Sequence, residues 1–138
     1  MTLAFGILSL AGVLLTGCAT TTSSSSLLRG KVISGEVDIQ LTVSDADSRL
    51  IGPGIAGAAI RLSSVQESSV LIAKAVSGDD GSFSIELTPA QANRNMRLLV
   101  KADGFVPLRS TATLPVPAGK QLLILLEPLK RDRQEQGR

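Results

Sequence analysis

The sequence predicts an all-β domain, an antiparallel β-sandwich of seven to eight strands, on three observations. Apolar and polar residues alternate along most of the region from residue 27 to residue 129, which is typical of strands with one buried face. Gly, Pro, Asp and Ser interrupt this alternation about every ten residues, as turns do in a sandwich. The nearest approach to a helix is a single turn at Pro89 to Asn93, after the capping residue Thr88.

The predicted strands follow one another along the chain, separated by turns. Leu28 to Ile33 predicts a short first strand, and a long connection, Asp45 to Gly57, follows the second. From the second strand onward, the apolar side chains that share one face are Val37, Ile39, Leu41 and Val43; Ala58, Ile60 and Leu62; Val70, Ile72 and Val76; Phe83, Ile85 and Leu87; Met96, Leu98 and Val100; and Leu122, Ile124 and Leu126.

Glycine, proline and phenylalanine mark particular positions in this pattern. The turn GDDG, Gly78 to Gly81, predicts a hairpin, because such residues accept the positive φ angles of tight turns. Val106 to Leu114 is a further strand, whose Pro107 belongs at a sheet edge because proline cannot donate to a ladder. Phe83 and Phe105 each follow a turn glycine closely, and we expect both rings in the core.

Three motifs within this region resemble one known family. They are GAAI at Gly57 to Ile60, SGDDGSF at Ser77 to Phe83, and VKADGF at Val100 to Phe105. Together they resemble the carboxypeptidase regulatory-like domain, a transthyretin-like β-sandwich, over Arg29 to Pro128. The resemblance implies a non-catalytic module. The long segment Glu36 to Gly54 leaves the strand order at the N-terminal end open, so the predicted fold is a sandwich of transthyretin-like or immunoglobulin-like form.

The N-terminal residues predict a membrane anchor. Leu3 to Leu15 is a largely apolar run of thirteen residues, which is short for a membrane-spanning helix and has the length of a signal-peptide core. The motif LTGC follows, formed by Leu15, Thr16, Gly17 and Cys18. This motif resembles the lipobox of bacterial lipoproteins, which implies that residues 1–17 are a signal peptide and that Cys18 is lipidated. No Lys or Arg precedes the apolar run, which departs from the usual pattern.

The same resemblance indicates a location. In Gram-negative lipoproteins, an Asp directly after the lipidated Cys favours the inner membrane, and this position holds Ala19. The expected location is therefore the periplasmic face of the outer membrane. Residues 18–26 contain the lipidated Cys and then only Ala, Thr and Ser, a composition that predicts a flexible tether. The β-sandwich domain is then residues 27–129.

The composition narrows the range of functions. The 138 residues contain no His, no Trp, no Tyr and a single Cys. These absences exclude a Ser/His/Asp triad, a His-ligated metal site and an internal disulfide, and they disfavour aromatic platforms for sugars or unstacked bases. We therefore predict no catalytic residue, no cofactor and no metal ligand, and a protein that is not an enzyme.

The charged residues predict neither a calcium site nor a nucleic-acid site. Asp45 and Asp47 offer carboxylates of the kind that Ca²⁺ prefers, but an EF-hand loop counted from Asp45 requires Gly and Glu where Leu50 and Ala56 stand. The tail, residues 130–138, carries four basic and two acidic residues and accounts for the net charge of +2. We expect this charged tail to be disordered, and we expect no nucleic-acid partner.

The last strand suggests an interaction surface. Leu122, Ile124 and Leu126 share one face, while Leu123 and Leu125 make the other face apolar as well. In an antiparallel sheet with one solvated face, apolar and polar residues should alternate, and this strand does not follow that pattern. Leu123 and Leu125, with Leu99, are therefore candidates for a partner contact; the alternatives are coverage by the connection Asp45 to Gly57 or burial in a closed, barrel-like sandwich.

These observations predict a lipid-anchored, periplasmic, non-catalytic binding or assembly module of the cell envelope, with the membrane and an envelope protein as partners. The alternatives are a β-sandwich that binds a small ligand or Ca²⁺, and an accessory subunit of an envelope peptidase or transport complex.

Overall fold

The structure, a computed structural model, describes residues 25–67 and 70–130. In these residues the backbone forms eight strands: β1 (Ser26–Ser34), β2 (Ile39–Ser44), β3 (Ala59–Ser64), β4 (Leu71–Val76), β5 (Ser82–Leu87), β6 (Met96–Lys101), β7 (Leu108–Ala112) and β8 (Lys120–Leu126). A short 3₁₀ turn at Ser48–Leu50 is the helical element of this part. The prediction of an all-β sandwich of seven to eight strands is confirmed.

The strands form two four-stranded sheets in the described part of the chain. Sheet A has the order β2-β8-β1-β5, and sheet B has the order β4-β3-β6-β7. Every pair is antiparallel except β1 and β8, which run parallel in the middle of sheet A. The sequence left the strand order at the N-terminal end open, and in the structure β1 lies between β8 and β5. Strand β5 does not pair with β4, which belongs to sheet B, so the predicted hairpin at GDDG is wrong: the turn leads from one sheet to the other.

The core lies between the two sheets. Alternate side chains of β3, β5, β6 and β8 face inward and are almost fully buried, as the sequence pattern predicted. Phe83 is part of this core. Phe105 is only partly buried and packs at its periphery, where its backbone pairs with Pro128, so the expectation of two core phenylalanines holds for Phe83 alone.

Strand β2 differs from the predicted arrangement. Its apolar residues Leu41 and Ile39 stand opposite Leu123 and Leu125 of β8, and paired residues point to the same side of a sheet. The apolar side of β2 therefore lies on the outer face of sheet A and not between the sheets. Val37 precedes the strand and is exposed.

Several boundaries also differ from those predicted. Strand β1 begins at Ser26, one residue inside the segment assigned to the tether. Pro107 lies just before β7, which is an edge strand of sheet B, in keeping with its missing N–H. The predicted lipobox (Leu15, Thr16, Gly17 and Cys18) and the charged tail from residue 131 onward lie outside the described residues.

Candidate functional site

The three leucines of the predicted interaction surface do not lie together. Leu123 and Leu125 belong to the outer face of sheet A, whereas Leu99 lies on β6, on the outer face of sheet B. Leu123 is completely buried, and Leu99 and Leu125 are partly buried. The candidate interaction surface of Leu99, Leu123 and Leu125 is therefore not formed, because β6 and β8 belong to different sheets and Leu123 is buried.

A buried lysine explains why Leu123 is covered. Lys31 stands opposite Leu123 in the β1–β8 register and is 3% exposed. Its Nζ donates hydrogen bonds to the carbonyl oxygens of Leu50, at 2.9 Å, and of Gly52. The connection between β2 and β3 is thus held on the outer side of sheet A beside Leu123, in agreement with the alternative that this connection covers part of the second apolar face.

The far end of the same connection is fixed by a buried hydroxyl. The Ser77 hydroxyl donates to the carbonyl oxygen of Ile55 at 2.6 Å and accepts from the Ala58 N–H at 2.8 Å.

The turn glycine Gly81 lies against the backbones of Val32 and Gly54. A Cβ at Gly81 would overlap the Val32 carbonyl oxygen. Gly81 also has a φ of 82°, so glycine is required there for both reasons.

The aspartates considered for Ca²⁺ are engaged with neighbouring groups. Asp45 accepts from Gln121 Nε2 at 2.9 Å and pairs with the Arg29 guanidinium at 3.3 Å. Asp47 caps the 3₁₀ turn and pairs with Arg49 at 2.8 Å. Residues 25–67 and 70–130 contain no group of three acidic or Cys side chains placed to hold a metal ion.

Hydrogen bonding shifts the pKa of two of the turn aspartates. The Arg49 side chain, and then its backbone N–H, donate to Asp47 and lower the pKa of that carboxyl to about 2. The Ser82 hydroxyl and backbone N–H lower the pKa of Asp80 below its usual range. The donors stabilise the charged carboxylate, so each of these two groups stays ionised to a lower pH than an ordinary aspartate does.

The outer face of sheet B carries a cluster of exposed cations that sequence analysis did not predict. We call this surface the basic face, and it is formed by Arg61, Lys74, Arg97, Lys101 and Arg109. Within the described residues, none of these five cations lies within 4.0 Å of a carboxylate oxygen. Each cation occupies a polar position of its own strand, so only the pairing of β4, β3, β6 and β7 brings them together.

A groove runs across the basic face. It is an open depression of about 390 Å³ between the ends of β3, β6 and β7. Arg97 and Arg109 lie along it together with the hydroxyl-bearing residues Ser63 and Thr111, and Leu99 forms part of its floor. The groove therefore combines guanidinium and hydroxyl donors, which are the groups that bind phosphate or carboxylate oxygens.

Comparison with known proteins identifies the fold family. Residues 30–113, more than half of the chain, match the family described as bacterial Ig domain. The chain belongs to the bacterial Ig domain family. No curated protein matches the chain.

Membership of the bacterial Ig domain family bears on the two forms of sandwich that the sequence allowed. It supports the immunoglobulin-like form, and it does not confirm the finer resemblance to carboxypeptidase regulatory-like domains. Bacterial Ig domains are generally non-catalytic modules of surface or envelope proteins. Among the described residues, no helix is long and apolar enough to span a membrane.

Proposed function

We propose that this bacterial Ig domain is a lipid-anchored, non-catalytic binding or assembly module on the periplasmic face of the outer membrane. The observation that carries the proposal is the motif LTGC, which ends at Cys18 directly after the apolar run Leu3 to Leu15. A thiol is needed there because the lipid is attached through sulfur, and the small residues Thr16 and Gly17 allow a signal peptidase to approach.

The distance between the motif and the fold supports this role. Strand β1 begins at Ser26, eight residues after Cys18. Eight extended residues span at most about 29 Å. A lipid at Cys18 would therefore hold the sandwich close to the headgroups, where its outer faces can meet the membrane or an envelope protein partner.

The chemistry of the fold supports a non-catalytic role. Bacterial Ig domains generally act without catalysis. The acidic side chains that the sequence offered as ligands, Asp45 and Asp47, hold the connection between β2 and β3 through Arg29, Arg49 and Gln121. These acidic side chains therefore have a structural role, and the function of the domain depends on what its surfaces contact.

The proposal is tested by intact mass and membrane fractionation of the full-length protein beside Cys18→Ala. We expect the wild type to lose residues 1–17, to gain lipid mass and to fractionate with the outer membrane, while Cys18→Ala does none of these. Thr21→Ala, three residues beyond the motif, is the matched control and should behave as the wild type. Ala19→Asp should keep the lipid and move the protein to the inner membrane.

Two results would contradict the proposal. A wild-type chain that keeps its N-terminus and carries no lipid removes the anchor, and with it the location. A lipidated chain that remains in the inner membrane leaves the anchor but overturns the assignment to the outer membrane.

A further inference from the structure

We propose that the basic face of sheet B docks against the anionic phospholipid headgroups of a membrane. The inference deepens the proposed function by naming the surface that meets the membrane, and it rests on that function only in placing the domain beside a bilayer.

The arrangement of the cations fits a planar anionic surface. In one row across sheet B, Lys74, Arg61, Leu99 and Arg109 stand side by side on β4, β3, β6 and β7. Neighbouring strands are about 4.8 Å apart, so this row spans about 14 Å. Arg97 and Lys101 extend the field along β6 by about 13 Å. The charges are thus spread over an area. A dedicated pocket for a small anion would instead require them to converge on one point.

The distribution of negative charge makes the face one-sided. The acidic residues in the connections that adjoin sheet B are Glu67, Asp79, Asp80 and Asp103, and none of them lies on the strands of the face. Most other acidic residues of the described part lie on sheet A or its loops, where Asp45 and Asp47 pair with arginines of that side. A molecule with this charge asymmetry turns the outer face of sheet B toward an anionic surface.

The side chains of the face favour lipid over an acidic protein surface. Protein interfaces draw much of their binding energy from buried Trp, Tyr and Arg anchors; this sequence has no Trp and no Tyr, and the arginines of the basic face are exposed. The groove instead places Arg97 and Arg109 beside the hydroxyls of Ser63 and Thr111, a set of donors suited to phosphate oxygens. Exposed aliphatic side chains at the rim, such as Val65, can enter the headgroup region.

The test separates docking from lipidation. A chain of residues 19–138 lacks Cys18 but retains all eight described strands and the core they enclose. We would measure its sedimentation with vesicles of phosphatidylcholine alone and with vesicles in which about one third of the lipid is phosphatidylglycerol. We expect at least about tenfold stronger partitioning onto the anionic vesicles, and loss of that difference in about 0.5 M salt, because salt screens exposed charges.

Two charge-matched variants locate the contact. Arg97→Gln/Arg109→Gln should lower partitioning by at least about tenfold, since each cation near an anionic surface contributes about fivefold. Lys120→Gln/Lys130→Gln removes the same charge from sheet A and the C-terminal end, and it should retain binding. Unfolding in urea checks that both variants fold. If Arg97→Gln/Arg109→Gln is unfolded, Lys74→Gln/Lys101→Gln tests the same face.

Three outcomes would overturn the inference. The first is equal binding to neutral and anionic vesicles. The second is an equal loss of binding in the control variant, which would indicate a general effect of net charge. The third is the absence of vesicle binding together with a dimer in light scattering that Arg97→Gln/Arg109→Gln abolishes, which would assign the face to a second copy of the chain. None of these outcomes depends on whether Cys18 is lipidated.

Discussion

At the scale of single residues, Lys31 is the side chain whose role sequence analysis did not suggest. A lysine in a strand is ordinarily expected on a solvated face, whereas this one is almost fully buried and bonds two loop carbonyls. Its aliphatic stem packs on an apolar sheet face while its ammonium group satisfies backbone oxygens. It therefore fixes the connection between β2 and β3 over Leu123.

Replacing Lys31 by methionine should loosen this connection. Lys31→Met keeps the apolar stem but leaves the carbonyl oxygens of Leu50 and Gly52 without their donor, which costs about 1–3 kcal/mol of unfolding free energy. Urea denaturation measures this loss, and amide hydrogen exchange should become faster at Ile55. The exposed Lys120→Met is the control, with a change within about 0.5 kcal/mol. Unchanged stability and exchange in Lys31→Met would show that the loop is held by other contacts.

Asp47 predicts a pH dependence of stability. The pKa of Asp47 is about 2 in the folded protein because Arg49 donates to its carboxylate, and it is about 3.9 in an unfolded chain. A lowered pKa contributes stability that is present above about pH 4 and is lost as the pH falls toward 2. Asp47→Asn should therefore have a lower unfolding free energy than the wild type at about pH 6, and the two values should converge near pH 2. Urea unfolding at both pH values measures this, and a constant difference would contradict it.

At the scale of elements, β8 holds sheet A together. It lies between β1 and β2, parallel to one and antiparallel to the other. Its inward side chains Leu122, Ile124 and Leu126 are fully buried. The match to the bacterial Ig domain family ends at residue 113, before this strand. The folded unit of this chain is thus longer than the matched segment.

A chain ending at residue 113 should not fold. Removing β8 deletes four buried side chains, each with a stabilising effect of about 2–5 kcal/mol, and leaves β2 without a partner strand. This loss is comparable to the entire stability of a small domain. Far-UV circular dichroism in urea should show no cooperative transition for residues 19–113 and a cooperative one for residues 19–130. A cooperative transition with the same midpoint in both chains would show that β8 is dispensable.

Elements also show where sequence patterns were informative. The turn from Gly78 to Gly81 follows from local rules, because GDDG supplies a glycine with positive φ, and the alternation after it assigns the inward face of β5. The same rules predicted a hairpin here, but β4 and β5 do not pair, because they belong to different sheets. For β2 the same alternation gave the strand but not its orientation. Its apolar side could be buried on either face of sheet A, and only the register with β8 selects the outer one.

At the scale of the whole molecule, the two outer faces differ in character. On the outer face of sheet A, the apolar part around Leu123 is buried beside a connection that Lys31 holds in place. The outer face of sheet B is uncovered and cationic. A lipid at Cys18 together with the basic face would give two attachments to one membrane, and two weak attachments in combination bind far more firmly than either alone.

The sequence by itself determined the all-β class, the turns and most core positions, because alternation and turn chemistry are properties of neighbouring residues. It also contains the LTGC motif, from which the proposed anchor follows. Tertiary structure alone decided which strands are neighbours, and thereby the burial of Leu123, the parallel pairing of β1 with β8 and the assembly of the basic face from four strands. Those features depend on register between distant segments, and no local pattern encodes that register.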